Sequence, residues 1–123
     1  MGRCERRGRG TPRDGGYVTA EAAIAVPALL ALLGMLLWAL GAMATQLRCQ
    51  DAARAGARAA ARGEPPAVVL RVAQAAAPGG ADVQLRDEGD LHHVRVVART
   101  PGPAALALDI GANAATHREP GPE

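Results

Sequence analysis

The constraint that most limits this chain is a run of 26 residues, Ala22 to Leu47, without one charged side chain. It carries Ile24, Val26, Leu29, Leu30, Leu32, Leu33, Leu36, Leu37, Trp38 and Leu40. A helix needs about 20 apolar residues to cross the hydrocarbon core of a bilayer, so the run is long enough to span one. Everything else is placed by its distance from this segment. The 123 residues leave room for one small domain besides it, and 76 of them follow Leu47. That is near the size at which a single core is only marginally stable alone. The aromatics are Trp38 and Tyr17, both in or beside the run. The soluble part must therefore build its core from Val, Leu, Ile and Ala, which bury little area per residue. Such a core leans on a long helix or on neighbouring subunits.

Composition excludes several function classes. All 14 basic residues are Arg, and with the heavy use of Ala and Gly this suggests a GC-rich bacterial coding sequence. A net charge of +2 is too small to argue for nucleic acid, and there is no aromatic platform for stacking bases. Cys4 and Cys49 lie on opposite sides of the run, so they supply neither an internal disulfide nor a Cys-based zinc site.

Met1 to Gly16 is Gly-rich, with Arg3, Arg6, Arg7, Arg9 and Arg13 against Glu5 and Asp14. Such a stretch cannot pack a core and reads as a disordered basic leader preceding an apolar segment. Cys4 follows no apolar run, so lipoprotein acylation is not expected there. Arg48, Arg54, Arg58 and Arg62 lie on the other side of the span. The positive-inside rule then favours a cytoplasmic N-terminus only by a small margin, with the C-terminal portion outside the cytoplasm.

Within the run, Pro27 lacks a backbone N–H and is expected to kink the helix near its start. Gly34 and Gly41 offer small surfaces to another helix. The helical pattern continues through Gln46 to Arg62, rich in Ala, with Arg54, Arg58 and Arg62 every fourth residue and Ala53, Ala57, Ala60 and Ala61 as small apolar surface. The Arg stripe is either a solvated face or a partner for acidic subunits or lipid headgroups. Gly63 is a natural C-cap and Pro65-Pro66 ends the helix. From Thr19 to Arg62 this makes one helix of 44 residues, roughly 66 Å long. Pro66 or Ala67 to Ala77 reads as a short second helix burying Val69, Leu70, Val72 and Ala73. Asp82 to Arg86 alternates like a half-buried strand, and Leu91 to Thr100 does so more loosely with Val94 and Val96 on one face. Asp87-Glu88-Gly89-Asp90 is the loop of that hairpin. Between a helix over 104–115 and a third strand over 108–117, the Gly111 and Asn113 positions favour the strand. Glu119 to Glu123 is a frayed end.

The search for chemistry finds no enzyme. No Ser follows the span, and Thr100 and Thr116 are the hydroxyls there. His92 and His93 are adjacent on a strand and point to opposite faces, so they do not chelate together, and a metal site with His117 is disfavoured. Asp82, Asp87, Glu88 and Asp90 could offer carboxylate oxygens to calcium but lack a regular ligand spacing. No cofactor, metal or small-molecule substrate is expected. Glu21 stands out, because a carboxylate at the mouth of an apolar helix is costly to carry into lipid. Its plainer role is a helix-start carboxylate facing the positive end of the dipole.

A basic leader ending in Gly16, a bulky Tyr17, Glu21 five positions after the glycine and a long apolar helix together resemble a type IV prepilin processing site. The resemblance implies a prepilin peptidase that cuts between Gly16 and Tyr17 on the cytoplasmic side, and a Glu21 that aligns subunits during assembly. More narrowly, the segment VTAEAAIAVPALLALL, with Pro27 six residues after Glu21, and the continuation QLRCQDAARAGARAAARGE resemble the TadE-like minor pilins of the tight-adherence pilus apparatus, in their actinobacterial form. The likeness covers residues 14 to 64. It implies an α+β, membrane-anchored, pilin-like fold: a long N-terminal transmembrane helix continuing outside the membrane, a short second helix and a small antiparallel β-sheet. The expected organisation is a leader over 1–16, a long helix over 17–63 with its transmembrane part over about 22–45, a small extracytoplasmic domain over 64–118 and a tail over 119–123. The implied partners are the membrane, other pilin subunits, the pilus assembly platform and the prepilin peptidase. The expected location is the cell membrane, in a single pass, or a surface pilus. Two alternatives stand beside it: a secreted protein whose apolar run is a signal peptide cut after Ala44, and an uncleaved single-span protein with an external binding domain.

Overall fold

The computed structural model describes residues 14–117; most of the basic leader, Cys4 included, and the tail over 119–123 lie outside the described residues. Its elements are two α-helices, α1 (Asp14–Ala61) and α2 (Pro66–Ala76), and three strands, β1 (Asp82–Glu88), β2 (Leu91–Arg99) and β3 (Asp109–His117). The strands form one antiparallel sheet in the order β1-β2-β3. This is the expected α+β fold: a long apolar N-terminal helix, a short second helix and a three-stranded antiparallel sheet.

Two compact units divide the chain, up to Met35 and from Leu36 onward. The described part of the first is the N-terminal stretch of α1 alone. It begins at Asp14, five residues ahead of the Thr19 expected, and takes Gly15 and Gly16 into its first turn. Pro27 lies inside α1, whose helical assignment is uninterrupted across it.

The second unit holds the core. Along α1, Thr45, Cys49, Ala52, Ala53, Ala59 and Ala60 are buried and recur with the 3.6-residue period of one helix face. All of these but Thr45 cluster with Val94, Val96 and Ala98 of β2, Val69 and Ala73 of α2, and Ala81. Nothing in it is larger than Val, so the layers must approach closely to touch. Gly56 permits this. A Cβ there would sit 3.0 Å from Val94 Cγ1 and 3.1 Å from the Ala73 Cβ.

The sheet register explains the rest. Leu85, Val94 and Ala114 share one row, and Val83, Val96 and Ala112 the next, so these apolar residues face the helical layer together. The opposite face carries Arg86, Arg95, Arg99 and Asn113, all exposed. The hairpin is tighter than expected: Asp87 and Glu88 belong to β1, pairing with His92 and Leu91, and the turn is Gly89-Asp90 alone. Gly89 takes a φ of +63° at the first central position, as a two-residue primed turn requires.

Chain ends of elements are closed by local bonds. Gly63, at φ +72°, donates its N–H to the Ala60 carbonyl at 2.9 Å, and the Glu64 N–H reaches the Ala59 carbonyl at 3.3 Å, a Schellman closure of α1. Gln74 Nε2 ties α2 to the start of β1 through the Ala81 carbonyl at 3.1 Å. Between β2 and β3 the chain makes a short 3₁₀ turn at Ala104–Leu106 before β3 begins. The third strand is the form the tail takes, with Gly111 exposed in it and Asn113 on the open face.

Candidate functional site

The first turns of α1 carry the residues singled out in the sequence. Gly16, Tyr17 and Glu21 are all exposed there, Tyr17 at 79%. Tyr17 and Glu21 are four residues apart and so share a helix face. Thr19 donates its Oγ1–H to the Gly15 carbonyl at 3.0 Å, bonding back one turn. No ion pair engages Glu21 among the described residues.

Behind Glu21 the helix presents large apolar side chains outward without interruption. Ile24, Leu29, Leu30, Leu32, Leu33, Leu36 and Leu37 are each more than half exposed. Among the described residues α1 is the one helix long and apolar enough to cross a membrane, and no part of its most apolar 18-residue window is buried. A soluble chain does not leave a surface of that size uncovered.

The other sequence candidates are not drawn together. Asp87 pairs with His92 on the core-facing side of the sheet, whereas Glu88, on the other side, lies 4.0 Å from His93. Asp82 instead accepts from Gln84 Nε2 at 2.7 Å. Strand alternation thus puts Asp87 on one face and Asp82 and Glu88 on the other, with Asp90 in the turn, and it separates His92 from His93 as expected. No cluster of three or more metal-ligating side chains exists among the described residues. Arg54 and Arg58 are exposed, and Arg62 forms a 2.8 Å ion pair with Glu64.

Three features were not foreseen. Cys49 is fully buried, its Sγ 3.9 Å from the Ile110 carbonyl. Burial pushes its thiol above the ordinary value, offset in part by a backbone hydrogen bond at Ala98. Gly41, expected to receive another helix, is met by this chain's own Pro101, whose Cγ would be 3.1 Å from a Cβ there. Gly102, at φ +132°, sits against the Trp38 indole, where a Cβ would be 3.2 Å from Cδ1. The indole Nε1 is buried without a hydrogen-bond partner among the described residues. The clue available in the sequence was the Pro101-Gly102-Pro103 triplet, which reads as a strand terminator and not as a contact.

An exposed apolar helix that is a candidate membrane span, followed by a small helix-on-sheet domain, is the α+β architecture of this chain. The chain belongs to the TadE-like proteins, a pilus-associated family, whose model matches residues 16–58. The same residues hold the Gly16–Tyr17 junction, Glu21 and the apolar part of α1. A Mycobacterium tuberculosis protein named Apoptosis inhibitor Rv3655c is 40% identical over 103 residues, which is 82% of this chain and 78% of that protein. No solved structure matches.

Proposed function

We propose that this chain is a structural, non-catalytic subunit of a tight-adherence pilus, a TadE-like minor pilin or pseudopilin. In this reading residues 1–16 are a leader, removed by a prepilin peptidase between Gly16 and Tyr17. The helix over 17–63 then enters the membrane with its N-terminus cytoplasmic, and residues 64–118 form the extracytoplasmic domain. Glu21 aligns the subunit with its neighbours and the assembly platform, and Pro27 bends the helix beside it. The observation that carries the reading is that the family match, residues 16–58, takes in the whole exposed apolar stretch of α1 together with Glu21 at its mouth.

A second reading has its own support. Every residue of the core cluster, Cys49 to Ala98, lies after Ala44. A signal-peptide cut after Ala44 would therefore release a fragment that keeps its whole core. The loss of the Trp38 and Gly41 contacts with Pro101 and Gly102 counts against it.

The mass of the mature N-terminus separates these readings. Tyr17 as first residue supports the pilin, Thr45 overturns it in favour of secretion, and an intact leader leaves a single-span protein. Gly16→Ala should slow processing, read as accumulation of the precursor on a gel. Unchanged processing would argue against a prepilin peptidase.

A further inference from the structure

The loop between β2 and β3, Pro101 to Leu108, contains no polar side chain. Leu106 and Leu108 are 50% and 55% exposed on it. Its neck is closed by Thr100, which is buried: the Leu108 N–H donates to Thr100 Oγ1 at 2.8 Å, the Thr100 N–H to the Leu108 carbonyl at 2.8 Å, and Thr100 Oγ1–H to the Leu106 carbonyl at 3.3 Å. The loop is thus a built feature, held in shape at its base.

Its position in the fold gives it meaning. Pro101 and Gly102 pack against Gly41 and Trp38, where α1 enters this unit, while Val94, farther along β2, lies against Gly56. The hairpin end of the sheet thus carries Asp87, Glu88 and Asp90, whereas the loop at the opposite end, nearest Trp38, carries no polar side chain. Exposed Leu37 and Leu40 of α1 flank the contact, so the loop continues the apolar surface of the candidate span. Arg99 and Asp109, paired at 3.4 Å and exposed, sit at the next row of the sheet, as a polar rim above an apolar tip.

We propose that the Pro101–Leu108 loop inserts into the interfacial region of the outer leaflet beside α1, a second membrane contact that fixes the domain against the lipid surface. The inference rests on the membrane-span reading of α1. It places the outer edge of the hydrocarbon near Trp38 to Gly41, where an indole is favoured. Ala22 to Gly41 is 20 residues, or about 30 Å, the thickness of a hydrocarbon core. Burying Leu106 and Leu108 at the headgroup–acyl boundary follows the logic of other monotopic anchors.

The test uses the full chain with Cys4→Ser and Leu106→Cys, labelled with an environment-sensitive NBD fluorophore and reconstituted in phosphatidylcholine–phosphatidylglycerol vesicles. Asp90→Cys, at the opposite end of the sheet, is the reference, and failure of Cys49 to label confirms the fold. The expected result is a blue-shifted emission at position 106, quenched several-fold more by shallow nitroxide lipids than at position 90. Trp38 fluorescence should be quenched by the same lipids. Water-like emission at 106 with Trp38 quenched overturns the loop insertion and leaves the span. Neither site quenched overturns the span reading and the loop proposal with it. A blue shift at 106 without lipid quenching also overturns the proposal, and assigns the loop to a protein neighbour instead.

Discussion

Between Tyr17 and Leu37, α1 carries Leu, Ile and Val side chains that are more than half exposed; between Thr45 and Ala60 it carries Thr, Cys, Ala and Gly that are buried. One helix thus solves two problems with opposite side-chain sizes. The first stretch gains most when its surroundings supply the contacts, since large side chains bury large areas against lipid or against another helix. The second gains most from close approach, because side chains no larger than Cys or Thr bring the sheet near enough to the helix axis for Val94 and Val96 to fill the space. The difference shows that helix propensity, high in both, does not decide what each stretch does. Side-chain volume does.

The sharpest way to break this contrast is to make the same substitution in both stretches. Gly56→Ala puts a Cβ 3.0 Å from Val94 Cγ1 and 3.1 Å from the Ala73 Cβ, and the second of these moves only if α2 moves. A loss of about 1–3 kcal/mol is expected, the usual cost of overpacking, and Gly56→Leu should prevent the domain from folding. Gly34→Ala meets nothing within 4 Å and should leave the melting temperature of the domain unchanged. Equal effects at the two positions would show that the close helix–sheet packing is not what holds the domain.

That contrast also marks what the sequence made legible. A charge-free run, the Ala-rich continuation and the alternation at Asp82 to Arg86 are periodic signals, and periodicity reports local conformation and burial directly. The two helices and three strands accordingly lie within a few residues of their expected bounds. Gly56 was hidden because a glycine in an Ala-rich helix has no periodic signature, and its use depends on a strand nearly 40 residues away. Gly41 misled for a related reason: a small residue announces that something approaches closely without saying what. Among the candidate residues, Glu21 stands out in the sequence by its charge, and Gly16–Tyr17 only through the prepilin resemblance. The Trp38–Gly102 contact was not, being a meeting of two segments with no common pattern.

A smaller effect is expected at the loop neck. Thr100→Val keeps the shape but removes the acceptor for the Leu108 N–H and the donor to the Leu106 carbonyl. Leaving those groups unpaired should cost about 1 kcal/mol in thermal unfolding. An unchanged melting temperature would mean that the loop needs no internal support.

Cys49 reports the same packing without mutation. Its buried thiol should resist alkylation in the folded domain and react only on unfolding. Because its pKa is raised in the folded state, the unfolded thiol ionises first. The associated stability is present below the ordinary thiol range, roughly 8.5, and falls as pH rises through the folded value. Melting temperatures that stay level across that alkaline range would contradict this sign.

The smallest effect on the domain, and the most informative for the first stretch, is expected from Glu21→Ala. Glu21 is exposed, so removing its carboxylate should leave both the melting temperature and membrane insertion unchanged. The proposed cost falls on assembly, because the carboxylate is the one charge at the mouth of an apolar helix that otherwise offers neighbours no directional contact. Pili counted by microscopy in a strain carrying the variant should be lost or much reduced, while the protein remains in the membrane fraction. Normal pili would remove the role assigned to Glu21. A lowered melting temperature would show that the two stretches of α1 are not independent in stability, which the contrast between exposed Leu and buried Ala requires them to be.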